Sequence, residues 1–222
     1  MPVKLNGATS GSVTIDAPAV AGTNTLTLPA VTDTLVGLAA TQTLTGKTLT
    51  SPTITGAVVS SMGSSVLTSD TAKASTSGTT VDFTGIPSWV KRITVMFSGV
   101  DTSSTSQIQI QLGDATSFEV TGYSGSASGG GTGLGSTAMS AGFLIEPSTA
   151  VVATTVRNGN IVITKITGTT YSASGTMGYS NQALSTYCGG AKTLTGTLTR
   201  VRITTVNGTD TFTAGTINIM YE

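Results

Sequence analysis

From Gly7 to Val59 the chain contains no aromatic residue, and that absence limits what this stretch can build alone. Its apolar residues arrive in short alternating bursts: Val13-Thr14-Ile15, Leu26-Thr27-Leu28, Leu44-Thr45, Leu49-Thr50 and Ile54-Thr55. Alternation with β-branched residues reads as strand. Stripes this narrow have nothing large within the same stretch to be buried against. Further copies of the chain would supply the missing surface, so the sequence points to self-association.

The remainder of the composition agrees with β structure. Thr outnumbers every other residue type and Gly is present in 28 copies, which favours strands and tight turns over helices. No stretch shows a 3.6-residue apolar period, so the expected class is all-β. With 222 residues there is room for one or two domains. Charged residues make up only 9 %, against about 25 % in ordinary soluble domains. The net charge is +0 and the mean hydropathy +0.25, which argues against disorder driven by charge. Lys91-Arg92 and Arg200-Val201-Arg202 are the close basic groupings, and they read as solvated strand faces. No nucleic-acid partner is expected, because such binders carry a basic face.

Cys188 is the only cysteine, so stability has to come from packing or assembly rather than from an internal disulfide. The start, Met1-Pro2-Val3-Lys4-Leu5-Asn6-Gly7, has no apolar core of signal-peptide length. No window approaches the roughly 18 consecutive apolar residues of a membrane span. The expectation is a soluble product of a cytoplasm, without membrane insertion, that leaves the cell as part of a released particle.

Three segments separate along the chain. Residues 1–36 are short strands punctuated by Pro18 and Pro29, neither of which fits a central sheet position. Residues 37–78 hold a Thr-Leu-Thr or Thr-Ile-Thr unit, broken by Gly or Pro, and end in a polar connector from Ser69 to Gly78. A flexible linker is one reading of the repeat. The five-residue spacing of Leu44, Leu49 and Ile54 favours the other, an intertwined stalk in which these side chains turn inward together in a three-fold bundle. Residues 79–222 look like a compact head of about eight strands, a sandwich or jelly roll. In it, Ile93, Val95 and Phe97 should share one face, as should Ile108, Ile110 and Leu112. Asn158-Gly159 and Asn207-Gly208 read as hairpin turns. Ile217, Ile219 and Tyr221 alternate inward, which should hold the C-terminus in the sheet.

The catalytic inventory is thin: ten acidic residues and no His. Asp101, Asp114 and Glu119 read as solvated loop acids rather than a facing pair for glycoside cleavage. No enzyme activity, cofactor or metal site is expected; Cys and His ligation is ruled out by the inventory. The run from Ser128 to Gly135 has the glycines of a phosphate loop but no helix pattern after it, so it reads as a mobile tip. Gly46-Lys47-Thr48 lacks the first Gly of a nucleotide loop, and Asn207-Gly208-Thr209 is a chance glycosylation match. Tyr123, Tyr171, Tyr179 and Tyr187 lie in or beside Gly/Ser-rich stretches. They are candidate receptor contacts with Asp114, the alternative being that each tyrosine caps the edge of the core.

Four stretches carry a family resemblance. The opening, from Gly11-Ser12-Val13-Thr14-Ile15 to Leu26-Thr27-Leu28-Pro29, resembles that of many bacteriophage tail-fibre and virion structural proteins. Thr43-Leu44-Thr45-Gly46-Lys47-Thr48-Leu49-Thr50-Ser51-Pro52 resembles the stalk repeat that follows in them. Ile86-Pro87-Ser88-Trp89-Val90 and the closing strands from Leu198 to Glu222 are similar to phage fibre heads. The resemblance implies a homotrimer in the virion, its N-terminus toward other virion proteins and its head toward a glycan or protein of the host surface. A head fibre or capsid decoration protein that clamps capsid subunits is the alternative, and a fibre-borne glycan depolymerase a third.

Overall fold

The computed structural model describes residues 3–15, 20, 22–23, 48, 67–129 and 135–222. The chain divides into two compact units, Met1–Ala57 and Val58–Glu222. In the first, β1 (Val3–Asn6) and β2 (Ser12–Ile15) form an antiparallel hairpin with Val3 opposite Ile15 and Asn6 opposite Ser12. Gly11, at φ 76°, supplies the left-handed turn residue, and its carbonyl accepts the Gly7 N–H at 2.9 Å. Val3, Leu5 and Ile15 are all about half exposed. Leu44, Leu49 and Ile54, the expected stalk contacts, lie outside the described residues.

The second unit is all-β, and no α-helix occurs among its described residues. Its strands are β3 (Thr68–Ser69), β4 (Lys73–Ala74), β5 (Thr80–Thr84), β6 (Arg92–Thr102), β7 (Ile108–Gly113), β8 (Tyr123–Gly129), β9 (Gly135–Ala138), β10 (Phe143–Leu144), β11 (Arg157–Thr167), β12 (Thr170–Tyr179), β13 (Ser185–Thr193), β14 (Arg200–Thr205) and β15 (Phe212–Tyr221). A nine-stranded sheet runs β3-β15-β6-β11-β12-β13-β8-β9, with β4 also paired to β15; a four-stranded sheet runs β10-β7-β14-β5. All pairings are antiparallel. The chain crosses between sheets repeatedly, so both contribute to one continuous core.

Period-2 alternation explains which face each strand buries. Ile93, Val95 and Phe97 of β6 face Ile161 and Ile163 of β11 and Ile217 and Ile219 of β15 on the inner side of the large sheet. Val81, Phe83, Ile108, Ile110, Leu112, Val201 and Ile203 supply the small sheet's side. β7 departs from simple alternation: Gln109 and Gln111 on its other face are buried too, because the segment around Ala141 and Gly142 lies over them. A Cβ on Gly142 would stand 2.8 Å from Gln109 Oε1, so the close approach requires glycine.

Three local expectations differ from the structure. Asn158-Gly159 makes no hairpin; it lies inside β11, which runs unbroken from Arg157 to Thr167 and turns at Gly168. The pair is used at a bulge, where the register against β6 shifts between Arg157 and Gly159, and Asn158 Oδ1 accepts the Gly99 N–H at 2.8 Å. Asn207-Gly208 does turn, with Gly208 at φ 68°, but it links β14 of the small sheet to β15 of the large one. The connector expected at 69–78 pairs with the last strand: Ser69 with Met220, Lys73 with Ile217 and Ala74 with Thr216. Polar side chains suit an edge strand, so its composition looked like linker. The last strand itself is held as expected, with the Glu222 carbonyl accepting from the N–H groups of Lys91 (2.7 Å) and Arg92 (2.9 Å).

Candidate functional site

The outward face of the small sheet carries a cleft of ≈ 470 Å³. Three strands floor it in register. Thr204 of β14 stands between Thr80 of β5 and Gln109 of β7; Arg202 stands between Asp82 and Gln111. Val120, Ala141, Val206, Asn207 and Gly208 form its walls. Val120 and Val206 are about half exposed and give the rim an apolar character.

Three of the floor residues are fixed by a second contact. Arg202 donates from Nε and Nη2 to the two Asp82 carboxylate oxygens at 2.8 and 2.7 Å, and its guanidinium lies 4.0 Å from the Phe118 ring centroid. The hydrogen bonds to Asp82 raise the Arg202 pKa, so the charge is permanent, but it is balanced locally by the carboxylate. Gln111 donates from Nε2 to the Ala141 carbonyl at 3.1 Å, and Thr204 Oγ1 donates to the Thr79 carbonyl at 2.9 Å. The result is a buried, hydrogen-bonded base of Gln109, Gln111 and Thr204 beneath the more accessible Thr80, Arg202 and Asn207, with no net charge and beside two exposed aliphatic side chains. Such a surface can hydrogen-bond a polyhydroxylated ligand and cover its C–H faces. The sequence marked Arg200-Val201-Arg202 only as a strand face. Alternating Gln in β7 was visible but read for its apolar partners, and the cleft needed the crossing between sheets to become apparent.

The tyrosines named from sequence do not meet at one place. Tyr123 is buried, edge-on to Phe143 with centroids 4.9 Å apart, and its hydroxyl accepts from the Leu112 N–H at 2.7 Å. Tyr171 is buried on β12. Tyr179 is buried, its hydroxyl donating to Glu146 Oε2 at 2.8 Å. Burial raises the pKa of all three, and the Glu146 charge adds to the rise at Tyr179. These three cap and fill the core, so no ligand reaches them without unfolding. Tyr187 is 58 % exposed, on the outer face of the large sheet in a row Asn160–Thr176–Tyr187–Ser128–Ser136.

Asp114 sits in the turn after β7, where its carboxylate accepts the N–H groups of Thr116 (2.8 Å) and Ser117 (3.1 Å) and its pKa is lowered by them. Thr195 Oγ1 lies 3.4 Å from Asp114 and 2.7 Å from Glu119. Burial pushes the Glu119 carboxyl up, but Lys192 and the Thr195 N–H outweigh it and leave the pKa lowered. Both acids are therefore ionised at neutral pH. A glycosidase pair needs one of the two kept protonated. Among the described residues no three His, Cys, Asp or Glu side chains cluster as metal ligands.

The Gly-rich run keeps its ends in β8 and β9, Gly129 opposite Gly135; residues 130–134 lie outside the described residues. A strand follows it, not the helix a phosphate loop needs. Cys188 is buried on β13, and burial pushes its thiol up to about 11, away from the reactive thiolate range.

Sequence reasoning missed a buried ion pair. Arg157 and Glu146 are both fully buried, with Arg157 Nε 2.9 and 2.7 Å from the two carboxylate oxygens. Nothing in the sequence distinguishes Arg157 from the other basic residues, since its burial comes from the loop after β10 folding over it. Comparison of the chain with protein-family models, with curated proteins and with solved structures gives no match.

Proposed function

We propose that the chain is a bacteriophage fibre protein, a homotrimer whose jelly-roll-like head binds a neutral glycan of the host surface in the cleft on the small sheet. The cleft carries the reading. Thr80, Asn207 and Arg202 offer accessible hydrogen-bonding groups over a buried base of Gln109, Gln111 and Thr204, Asp82 cancels the one charge, and Val120 and Val206 offer apolar contact. A sugar ring presents the matching hydroxyl edge and C–H face. The exposed apolar side chains of the β1–β2 hairpin, Val3, Leu5 and Ile15, suit attachment to another virion protein. That contact serves a tail fibre and a capsid-mounted fibre equally.

The test is calorimetric titration of the full chain with purified surface polysaccharides from bacterial hosts. Thr80→Val together with Arg202→Gln alters two accessible hydrogen-bonding groups of the cleft, so affinity should fall about 10- to 100-fold. Val206→Lys, on the exposed rim, should weaken binding without touching the core. Binding unchanged by both variants contradicts the cleft assignment. Release of reducing sugar contradicts a purely adhesive head.

A further inference from the structure

Of the tyrosines singled out in the sequence, Tyr187 alone stays open to solvent, and the cleft does not use it. Its side chain points outward because Thr186 and Cys188, its neighbours on β13, are both buried. Register places Thr176 of β12 on one side of it and Ser128 of β8 on the other, with Asn160 of β11 and Ser136 of β9 next along the row. Ser174, Gly189 and Ser126 adjoin it in the next row of the same face. None of these residues carries a charge. Nothing stands within 4 Å of where a Gly189 Cβ would lie, so the backbone beside the ring is bare. Among the described residues, no group hydrogen-bonds the Asn160 side-chain amide, the Thr176 hydroxyl or the Tyr187 hydroxyl. Ser128 Oγ donates to Ser136 Oγ at 3.1 Å, which leaves the Ser136 proton free for an outside acceptor.

We propose that this face is a second carbohydrate site, which takes an uncharged sugar chain across β11, β12, β13, β8 and β9 with one ring against Tyr187. The proposal rests on the adhesive reading above for its ligand class, and on the sheet alone for its place. Five adjacent strands span four spacings, about 19 Å, which is room for several sugar rings in line. A sugar ring needs partners for its hydroxyls and cover for its C–H face. The free hydroxyl and amide groups of the row meet the first need. The exposed tyrosine meets the second, and ordering it costs little because it has only two side-chain torsions. An acidic polymer or an anionic lipid surface would find no cation in the row to pair with. A protein occupant fits poorly. A stable contact buries about 800 Å² per partner around an apolar core, and Tyr187 is the one large apolar side chain exposed in the row. The cleft lies on the other sheet, so neither site borrows residues from the other.

Affinity electrophoresis tests the site: the full chain is run in gels holding dextran, mannan or galactan, with a plain gel as reference. The parent should be retarded in at least one of them. Tyr187→Ala and Thr176→Lys should each cut that retardation about 5- to 10-fold, with far-UV circular dichroism and solution mass unchanged. Val206→Lys, at the cleft, should leave a remainder that adding Tyr187→Ala removes. Retardation that Val206→Lys abolishes by itself, and that both face variants leave intact, overturns the proposal while the cleft stands. A parent that runs freely in all three gels overturns it as well, and calorimetry with host polysaccharides then judges the cleft separately. A loss in Tyr187→Ala that comes with a lower solution mass makes the face a contact between copies, which also overturns it.

Discussion

Arg157 and Glu146 show how one buried pair organises a region. The Glu146 carboxylate accepts from Arg157, from the Ile108 N–H at 3.0 Å and from the Tyr179 hydroxyl, and Arg157 Nη1 donates to the Thr155 carbonyl at 2.9 Å. Arg157 Nη2 has no partner, so the set is not fully satisfied. Removing one charge leaves the other buried and uncompensated. Glu146→Gln or Arg157→Met should each cost about 3–5 kcal/mol in urea unfolding, and the pair replaced together by Leu and Met should recover most of that loss. A double variant no more stable than the singles contradicts this account. At the surface, Glu119 acts differently. Its folded pKa is depressed below the ordinary 4.5, so its contribution to stability is full above that value and is lost as pH falls through the folded pKa. Thermal midpoints measured from about pH 5 down to about pH 3 should fall less steeply for Glu119→Gln than for the parent. Neither role was legible in the sequence. Residue type and spacing identify Glu119 as a loop acid and Arg157 as a basic residue at a turn; their partners are 73 and 11 positions away, and only the fold brings them together.

Strands were more legible than the turns between them. Alternation in β6, β7 and β15 gave the right inner faces, because a period of two leaves no choice once one face is apolar. The Asn158-Gly159 pair misled because glycine serves a close backbone approach as readily as a turn. At φ 148° a Cβ on Gly159 would stand 2.3 Å from the Thr176 carbonyl oxygen on the neighbouring strand. Gly159→Ala should therefore destabilise the head by at least about 2 kcal/mol, with the loss seen as a lower urea midpoint at unchanged slope. An alanine tolerated there would mean that β11 and β12 separate freely, against their ten paired positions. The final strand is similarly committed. Glu222 exchanges three backbone hydrogen bonds with Lys91 and Arg92, and Ile217 and Ile219 are fully buried between β6 and the small sheet. Removing residues 217–222 deletes both and should leave the head unfolded by near-UV circular dichroism.

For the whole molecule, the shortage of large apolar residues before residue 60 and the single continuous core after it call for different sources of stability. The head buries its own surface; the hairpin at Val3–Asn6 and Ser12–Ile15 leaves Val3, Leu5 and Ile15 about half exposed. All-β character was legible because composition and alternation are local properties. The two-sheet pairing order was not, since it depends on which distant strands meet. If copies join through Leu44, Leu49 and Ile54, one cleft per head becomes three per particle. Engagement of a second head is then intramolecular, and binding to a polysaccharide-coated surface should exceed the single-site affinity by about 10²- to 10⁴-fold. Replacing all three residues by Ser should abolish that excess while calorimetry with a short soluble oligosaccharide gives the same single-site constant, because the cleft is built wholly within residues 80–208. Equal retention of parent and triple variant on the coated surface would mean that the heads act singly, and that the threonine-rich stretch joins nothing.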